Sequence, residues 1–509
     1  MFLVRFFVSV LPLFFPLYTV RFDFCGVPFS LPEILLYTAL VIYVYCLIFG
    51  GQKFLRLPRW TFFMNILLLL VCFLAVWGLP KEVVFEGQAY QTFAHGVGIF
   101  KEWIFAPIVY FFLLRQVASG EQAQETLRRA FLLGASGLAV YALLFGAVSD
   151  DGRLMAHFSN PNYLALYLTP AFWLALTHFY YGERKRGPEN IFYIFVLGLA
   201  IFLTRSYTSW LALLATALIY IFTTLKGFKR WYFLGILLLC GLLAFGYEIN
   251  SEKFTQIFDL QERSSTAVRL QIWQVALELW RAHPWLGVGL GMFQLEYWQH
   301  AWEILGQAPY EWNILHTHNL YLQWLVTTGA IGLLVFLVWV ISIFRYRPLN
   351  RWLDPRFIFI LILIQGFWDL PLWKNDLAFV FFFVAGLVAS GHHTMTSRVY
   401  AGSLFNSFRE FEVLSLNPNI ARHLDGVYAV EVRWKGQRIP AIAFSGANKK
   451  GERKFEVHLF GLEVDLRGEK VDVSVIERIR DTMQFESKKD LKEQILEDYE
   501  DAKQILKLQ

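Results

Sequence analysis

About twelve apolar runs, each near the length that crosses a bilayer, centre on residues 12, 40, 70, 105, 138, 171, 198, 216, 240, 332, 363 and 384. They constrain the fold more than any other feature. In hydrocarbon every backbone N–H and C=O needs a partner within the chain, so runs of this length become helices. The composition agrees. Of 509 residues, 56% are hydrophobic and 17% charged, and the mean hydropathy of +0.43 excludes an ordinary soluble globule. Fifty Phe and 18 Trp suit a bilayer with aromatic residues at its interfaces.

Basic residues alternate between the loops that join these runs. One set carries clusters: Lys53, Arg56 and Arg59; Arg115, Arg128 and Arg129; Arg184, Lys185 and Arg186; Lys226, Lys229 and Arg230; Arg345, Arg347, Arg351 and Arg356. The intervening loops carry essentially one each, at Arg21, Lys81, Arg153, Arg205 and Lys374. The positive-inside rule makes the clustered loops cytoplasmic, with both termini on that side. The long loop, about 247–317, then lies outside. Residues 1–20 resemble a signal peptide but lack a small-x-small cleavage site, so an uncleaved first span is expected. Cys25, Cys46, Cys72 and Cys240 have no paired metal-ligand spacing and read as small buried hydrophobes.

From about Arg398 the pattern changes. VYAVEVRWKGQRIPAIAF and KFEVHLFGLEVDL alternate apolar and polar residues as half-buried strands do, and DLKEQILEDYEDAKQILKLQ has helical spacing. The expected architecture is an α-helical polytopic membrane domain over 1–397, of about 12 transmembrane helices with one large periplasmic loop. A small cytoplasmic α+β domain over 398–509 follows it. That domain presents no catalytic motif and reads as a regulatory or assembly module for a protein partner. With a modest net charge of +5, no nucleic-acid partner is expected.

Polar residues stand out on the outer side. Arg153 lies in DGRLMAHFSNPNYLALYL, and Arg205 in LTRSYTSW between two spans. Arg269 lies in SSTAVRLQIWQVALELWRAHP, a helix capped by Ser264 or Ser265 and ended before Pro284. On it Arg269, Trp273, Ala276 and Trp280 share one face. Val268, Ile272, Val275 and Leu279 form an apolar face suited to the membrane interface. His318, in HTHN, stands where a span begins. A single arginine at a span end is commonly a snorkelling anchor. Three on one side suit an anionic phosphate, because guanidinium stays charged and offers forked donors. A histidine at a helix N-terminus stays neutral and able to accept a proton, as a general base must. His316 and His318 are two apart and lack a third ligand, so no metal site is expected. Gly287, Gly289 and Gly291 in GVGLG follow no strand; they suit a tight turn after Pro284, with no dinucleotide loop.

These segments resemble the O-antigen ligase and O-antigen polymerase superfamily of bacterial membrane glycosyltransferases. The resemblance rests on FSNPNYLALYL, LTRSYTSWLALLAT, VRLQIWQVALELWRAHPWLGVGLGMF and HTHNLYLQWLVTTGAIGLL, and covers roughly 152–335. One departure is visible. Thr327 and Thr328 precede Gly329 where the family often has an acidic residue. The resemblance implies a glycan donor on undecaprenyl pyrophosphate, a lipid A-core or similar acceptor at the periplasmic face of the inner membrane, and no metal or other cofactor. It gives His318 the role of base, and Arg205 and Arg269 that of pyrophosphate ligands. Arg153 is a further candidate for the donor phosphates or sugar. His316, Asn319 and Tyr321 are candidates to orient the base or line the acceptor groove, and Asp369, in GFWDLPLW, to orient a histidine or pair with an arginine. Trp298, Trp302 and Trp312 suit sugar stacking or interfacial anchoring. Repeat-unit polymerisation and protein O-oligosaccharide transfer share this donor chemistry. A bicarbonate-type solute transporter is the alternative of another class, though it should show repeated halves and broken mid-membrane helices.

Overall fold

The computed structural model describes residues 2–49, 59–117, 121–181, 188–251, 254, 264–346 and 354–390 of the helical part. Beyond these it describes 394–398, 401–402, 412–418, 426–435, 437–447, 452–460, 466, 469–480, 482–483 and 488–506. Lys53, Arg56, Arg184, Lys185, Arg186, Arg347 and Arg351 of the basic clusters lie outside the described residues.

Each of the twelve apolar centres falls in a helix: α1 (Phe2–Phe14, extended by a 3₁₀ turn to Thr19), α2 (Leu31–Phe49), α3 (Arg59–Trp77), α4 (Thr92–Ile99) running through a π turn into α5 (Ala106–Val117), α6 (Glu121–Phe145), α7 (Pro161–Tyr181), α8 (Pro188–Leu203), α9 (Tyr207–Thr224), α10 (Phe228–Glu248), then α13 (Leu320–Ile343), α14 (Arg356–Gln365) and α15 (Asn375–Ala389). Eight of these apolar segments, counting Thr92–Val117 as one, are long and apolar enough to cross a membrane. Between α10 and α13 lie α11 (Ser265–Ala282) and α12 (Phe293–Leu305).

The helices are apolar all round, so their surroundings decide which face meets protein. α15 is the axis: every described residue from Asp376 to Ala389 is buried. Phe381 packs on Trp339 and Phe359, and Phe383 on Phe15 and Tyr110, joining α1, α5, α13 and α14 around it. α10 is the opposite case. Leu238, Leu239, Leu242 and Leu243 are exposed and only Glu248 is buried, which is lipid-facing surface in a bilayer. Lys101 and Glu102, costly in hydrocarbon, sit in the π turn at the same end as β1 (Arg21–Phe24) and β2 (Val27–Ser30). There Lys101 pairs with Glu33 at 3.4 Å and Arg21 with Glu102 at 3.2 Å, so each charge is compensated. Three short hairpins, β1–β2, β3 (Val83–Phe85) with β4 (Gln88–Tyr90), and β5 (Ala147–Val148) with β6 (Leu154–Ala156), make three of the connections between these helices.

α11 differs from its expected setting. Ser264 does cap it, accepting from the Ala267 N–H at 3.1 Å. Its apolar face, Ile272, Val275 and Leu279, is covered by Phe293 and Tyr297 of α12 and by Ile314 and Val326, so protein occupies the place expected for the membrane interface.

The C-terminal region is a seven-stranded antiparallel sheet with one helix. Its strands are β7 (Thr394–Arg398), β8 (Ala401–Gly402), β9 (Glu412–Leu416), β10 (Gly426–Trp434), β11 (Gln437–Ala447), β12 (Arg453–Leu459) and β13 (Lys470–Arg480), in the order β7-β13-β10-β11-β12-β9-β8. β10 and β11 pair antiparallel, with Trp434 opposite Gln437. Val430, Val432, Ala441, Val457 and Val473 fill one core, while Val427, Ala429 and Ile442 face α16 (Lys488–Leu506). Arg480 grips Asp498 of α16 through two bonds of 2.6 and 2.7 Å.

Candidate active site

The HTHN turn is built by its own side chains. Asn319 caps α13, accepting from the Leu322 N–H at 2.9 Å, and the Thr317 N–H reaches Gln323 Oε1 at 2.8 Å. Two further bonds tie the turn to the end of α14: Leu320 N–H to Gly366 O at 2.7 Å and Asn319 Nδ2 to Phe367 O at 2.9 Å. This alignment brings Asp369 Oδ1 to 3.6 Å from His318 Nδ1. The imidazole is 24% exposed and the carboxylate 1%, so one partner is open to a substrate and the other is fixed behind it. His318 itself sits at φ +49°, a left-handed conformation uncommon for residues other than glycine. Arg205 shares it at φ +47°. Backbone held this way persists where surrounding structure enforces it, commonly at functional sites.

The electrostatics follow from this packing. Burial pushes the Asp369 carboxyl up, but the His318 imidazole and the Arg269 charge outweigh it and leave the group below its ordinary value. Burial, with His318 and Lys374 nearby, holds His316 down at about 3, so it is neutral near pH 7. Trp103 packs edge-on against the His316 ring.

α11 joins this group through Trp273, whose Nε1 donates to Thr317 O at 2.9 Å. Arg269, one turn earlier, reaches only Ser265 O at 3.4 Å, and its buried Nε has no partner. The structure thus brings together Arg269, His316, His318, Asn319 and Asp369. Tyr321 instead donates to Leu363 O at 2.8 Å.

The other two arginines are already engaged. Arg205 makes a forked pair with Glu248, Nε to Oε1 at 2.6 Å and Nη2 to Oε2 at 2.7 Å. Tyr207 and Ser251 also donate to Glu248, at 2.5 and 2.7 Å. Bonding to Glu248 raises the Arg205 pKa above its ordinary value. Arg153 pairs with Asp151 at 2.6 Å. Trp298 is stacked against Phe85 and donates to Trp312 O at 2.7 Å, while Trp302 and Trp312 remain exposed.

Sequence reasoning passed over Glu248 and gave Lys374 no role beyond a lone outside charge. Glu248 is 43 residues from Arg205, and no local pattern announces such a partner. Lys374 lies 4.1 Å over the Tyr163 ring and 4.9 Å over Phe158, and burial lowers its pKa. The FSNPNY motif that supplies those rings was a signal in plain view.

Comparison with known proteins gives two family matches. Residues 192–337 match the O-antigen ligase family, and residues 392–506 match riboflavin kinase. The second match puts an enzyme family where sequence reasoning stopped at a regulatory or assembly module. Curated relatives of that region include the bifunctional riboflavin kinase/FMN adenylyltransferases of Haemophilus influenzae, 39% identical over 88 residues, and of Buchnera aphidicola from Acyrthosiphon pisum, 35% over 81. These alignments cover 16% and 14% of this chain and 27% and 26% of the relatives, so the chain spans about a quarter of their length. Among solved structures, a macrolide-efflux protein from Streptococcus pneumoniae aligns over 23% of this chain and 40% of its own at 28% identity, with a TM-score of 0.19, too low to define a shared fold. Residues 192–337 thus resemble an O-antigen ligase domain, set among helices of which eight, among the described residues, are long and apolar enough to cross a membrane.

Proposed function

We propose that the helical domain transfers a glycan from a lipid-linked pyrophosphate donor, of the undecaprenyl type, to an acceptor hydroxyl on a lipid A-core or similar glycolipid. The observation that carries this reading is the His318–Asp369 pair, 3.6 Å apart, near Arg269, whose guanidinium makes no carboxylate pair and whose buried Nε has no partner. His318 takes the proton from the acceptor hydroxyl as its oxygen attacks the anomeric carbon. Asp369 orients the ring and stabilises the imidazolium that forms. The bond from the anomeric carbon to the pyrophosphate oxygen breaks, and Arg269 stabilises the charge gathering there. One displacement inverts the anomeric centre. In this reading the helical domain spans the inner membrane, with both termini cytoplasmic and the His318 end periplasmic.

Purified protein in nanodiscs, given lipid-pyrophosphate-linked glycan and candidate acceptors with EDTA present, is expected to form product. The acceptor consumed separates ligation from repeat-unit polymerisation and from protein glycosylation. Absence of transfer to every acceptor, together with solute flux in proteoliposomes, would replace this reading with transport.

The riboflavin kinase match supports a second activity, flavin binding by residues 392–506. Titrating the full-length protein into riboflavin is expected to quench flavin fluorescence saturably. Unchanged fluorescence at protein concentrations of tens of micromolar would leave that domain without a flavin role.

A further inference from the structure

A pyrophosphate diester brings two negative charges to the site, and the charges already present decide which cations are free to meet them. Arg205 is neutralised by Glu248, Arg153 by Asp151, Lys101 by Glu33 and Arg21 by Glu102. Among the described residues at this end, two partly buried cations make no carboxylate pair: Arg269 and Lys374. Both act on the same centre. Trp273, one turn on from Arg269, donates to Thr317 O at 2.9 Å, and Trp103 packs against both the His316 ring and Trp373, the residue before Lys374. The two charges are felt at Asp369 and His316 respectively. Resting on the glycan-transfer reading above, we propose that Lys374 is the second pyrophosphate ligand, acting with Arg269.

The lysine is held for this without being neutralised. Its ammonium lies 4.1 Å from the Tyr163 ring centre, 4.9 Å from Phe158 and 5.7 Å from Tyr18. Aromatic faces attract a cation through their quadrupole yet leave its full charge for an anion. Phe158 and Tyr163 flank Asn160-Pro161-Asn162. There the Asn162 N–H donates to Asn160 Oδ1 at 2.8 Å and Pro161 starts α7, so the FSNPNY motif fixes two walls of the cage. Asp376, two residues on, is the carboxylate whose field Lys374 feels most, and no ion pair forms between them. A mobile hydrated anion would meet an exposed lysine anywhere. This one is positioned and partly desolvated, in an aromatic cage next to Trp373, which shares Trp103 with His316.

The test uses full-length protein in nanodiscs with undecaprenyl pyrophosphate as probe and undecaprenol, which lacks phosphate, as control. Lys374→Met is expected to weaken undecaprenyl pyrophosphate binding about tenfold or more, as loss of one charge-assisted contact does. Undecaprenol binding stays unchanged, and Lys374→Arg retains most of the wild-type affinity. Lys374→Gln serves if the Met variant fails to fold. Wild-type affinity for the pyrophosphate in the neutral variants overturns the assignment of Lys374 and leaves glycan transfer standing. Equal loss for undecaprenol and its pyrophosphate overturns it too, since the lysine would then be a packing element. Failure of wild type to distinguish pyrophosphate from alcohol removes this inference and the transfer reading together.

Discussion

Glycan transfer is expected to fall ~10²- to 10⁴-fold in His318→Ala, the range for losing a general base. Binding of the lipid-linked donor should change little, because the leaving phosphates are met by cations elsewhere in the site. The φ of +49° complicates the choice of substitution, since some of any loss could come from disturbing the turn. His318→Asn separates the effects. Asparagine tolerates left-handed backbone and cannot take the proton, so it should be as inactive as alanine while unfolding at the wild-type temperature. Asp369→Asn keeps a hydrogen-bonding group at 3.6 Å but removes the charge that stabilises the imidazolium, and should lower turnover with KM for the acceptor preserved. Wild-type turnover in His318→Asn would end the assignment of the base. Turnover in that variant with an altered acceptor preference would make His318 a specificity residue instead.

What could be read in advance depended on the range of the interaction. Spans were legible because hydrocarbon thickness sets a length that the sequence must meet, and each apolar centre does fall in a helix. Ser264 was legible as a cap because capping acts over three residues. The hairpins were missed although Cys25-Gly26 and Glu86-Gly87 have the positive φ of two-residue turns, because the strands are two to four residues long and carry almost no periodicity. Arg205 was noticed, but its neutralisation by Glu248 depends on how α8, α9 and α10 pack, which no local pattern encodes. The interfacial expectation for α11 failed for a related reason. An amphipathic face specifies an apolar neighbour and does not say whether that neighbour is lipid or α12. Likewise, alternation in the C-terminal strands gave the sheet and could not give the family, since any half-buried strand alternates.

Gly329→Ala should be the most damaging single methyl addition in the helical domain, costing more than ~4 kcal/mol of stability, the range reached by backbone clash and strain together. α13 breaks at this residue, with φ +68° and ψ −172°, a conformation essentially confined to glycine. The GVGLG segment crosses α13 at the break. Ala330 N–H donates to Pro284 O at 2.8 Å, Val288 N–H to Val326 O at 2.8 Å and Gly289 N–H to Thr327 O at 3.0 Å. These bonds satisfy groups that the broken helix leaves without partners, and they require the two backbones to touch. A Cβ on Gly329 would overlap the Trp285 carbonyl and the Leu286 N, and one on Gly287 would lie 2.5 Å from Val326 O. Both obstacles are backbone, so no rotamer change relieves them. Gly235→Ala, on lipid-facing α10 with open space around the new methyl, is the control and should be neutral or slightly stabilising. Thermal unfolding followed by size-exclusion chromatography in detergent compares them. If Gly329→Ala unfolds within a few degrees of Gly235→Ala, the crossing is not what holds α13 broken. Early unfolding of Gly329→Ala alone ties the conformation of the HTHN turn, which α13 begins, to the glycine strap that crosses it.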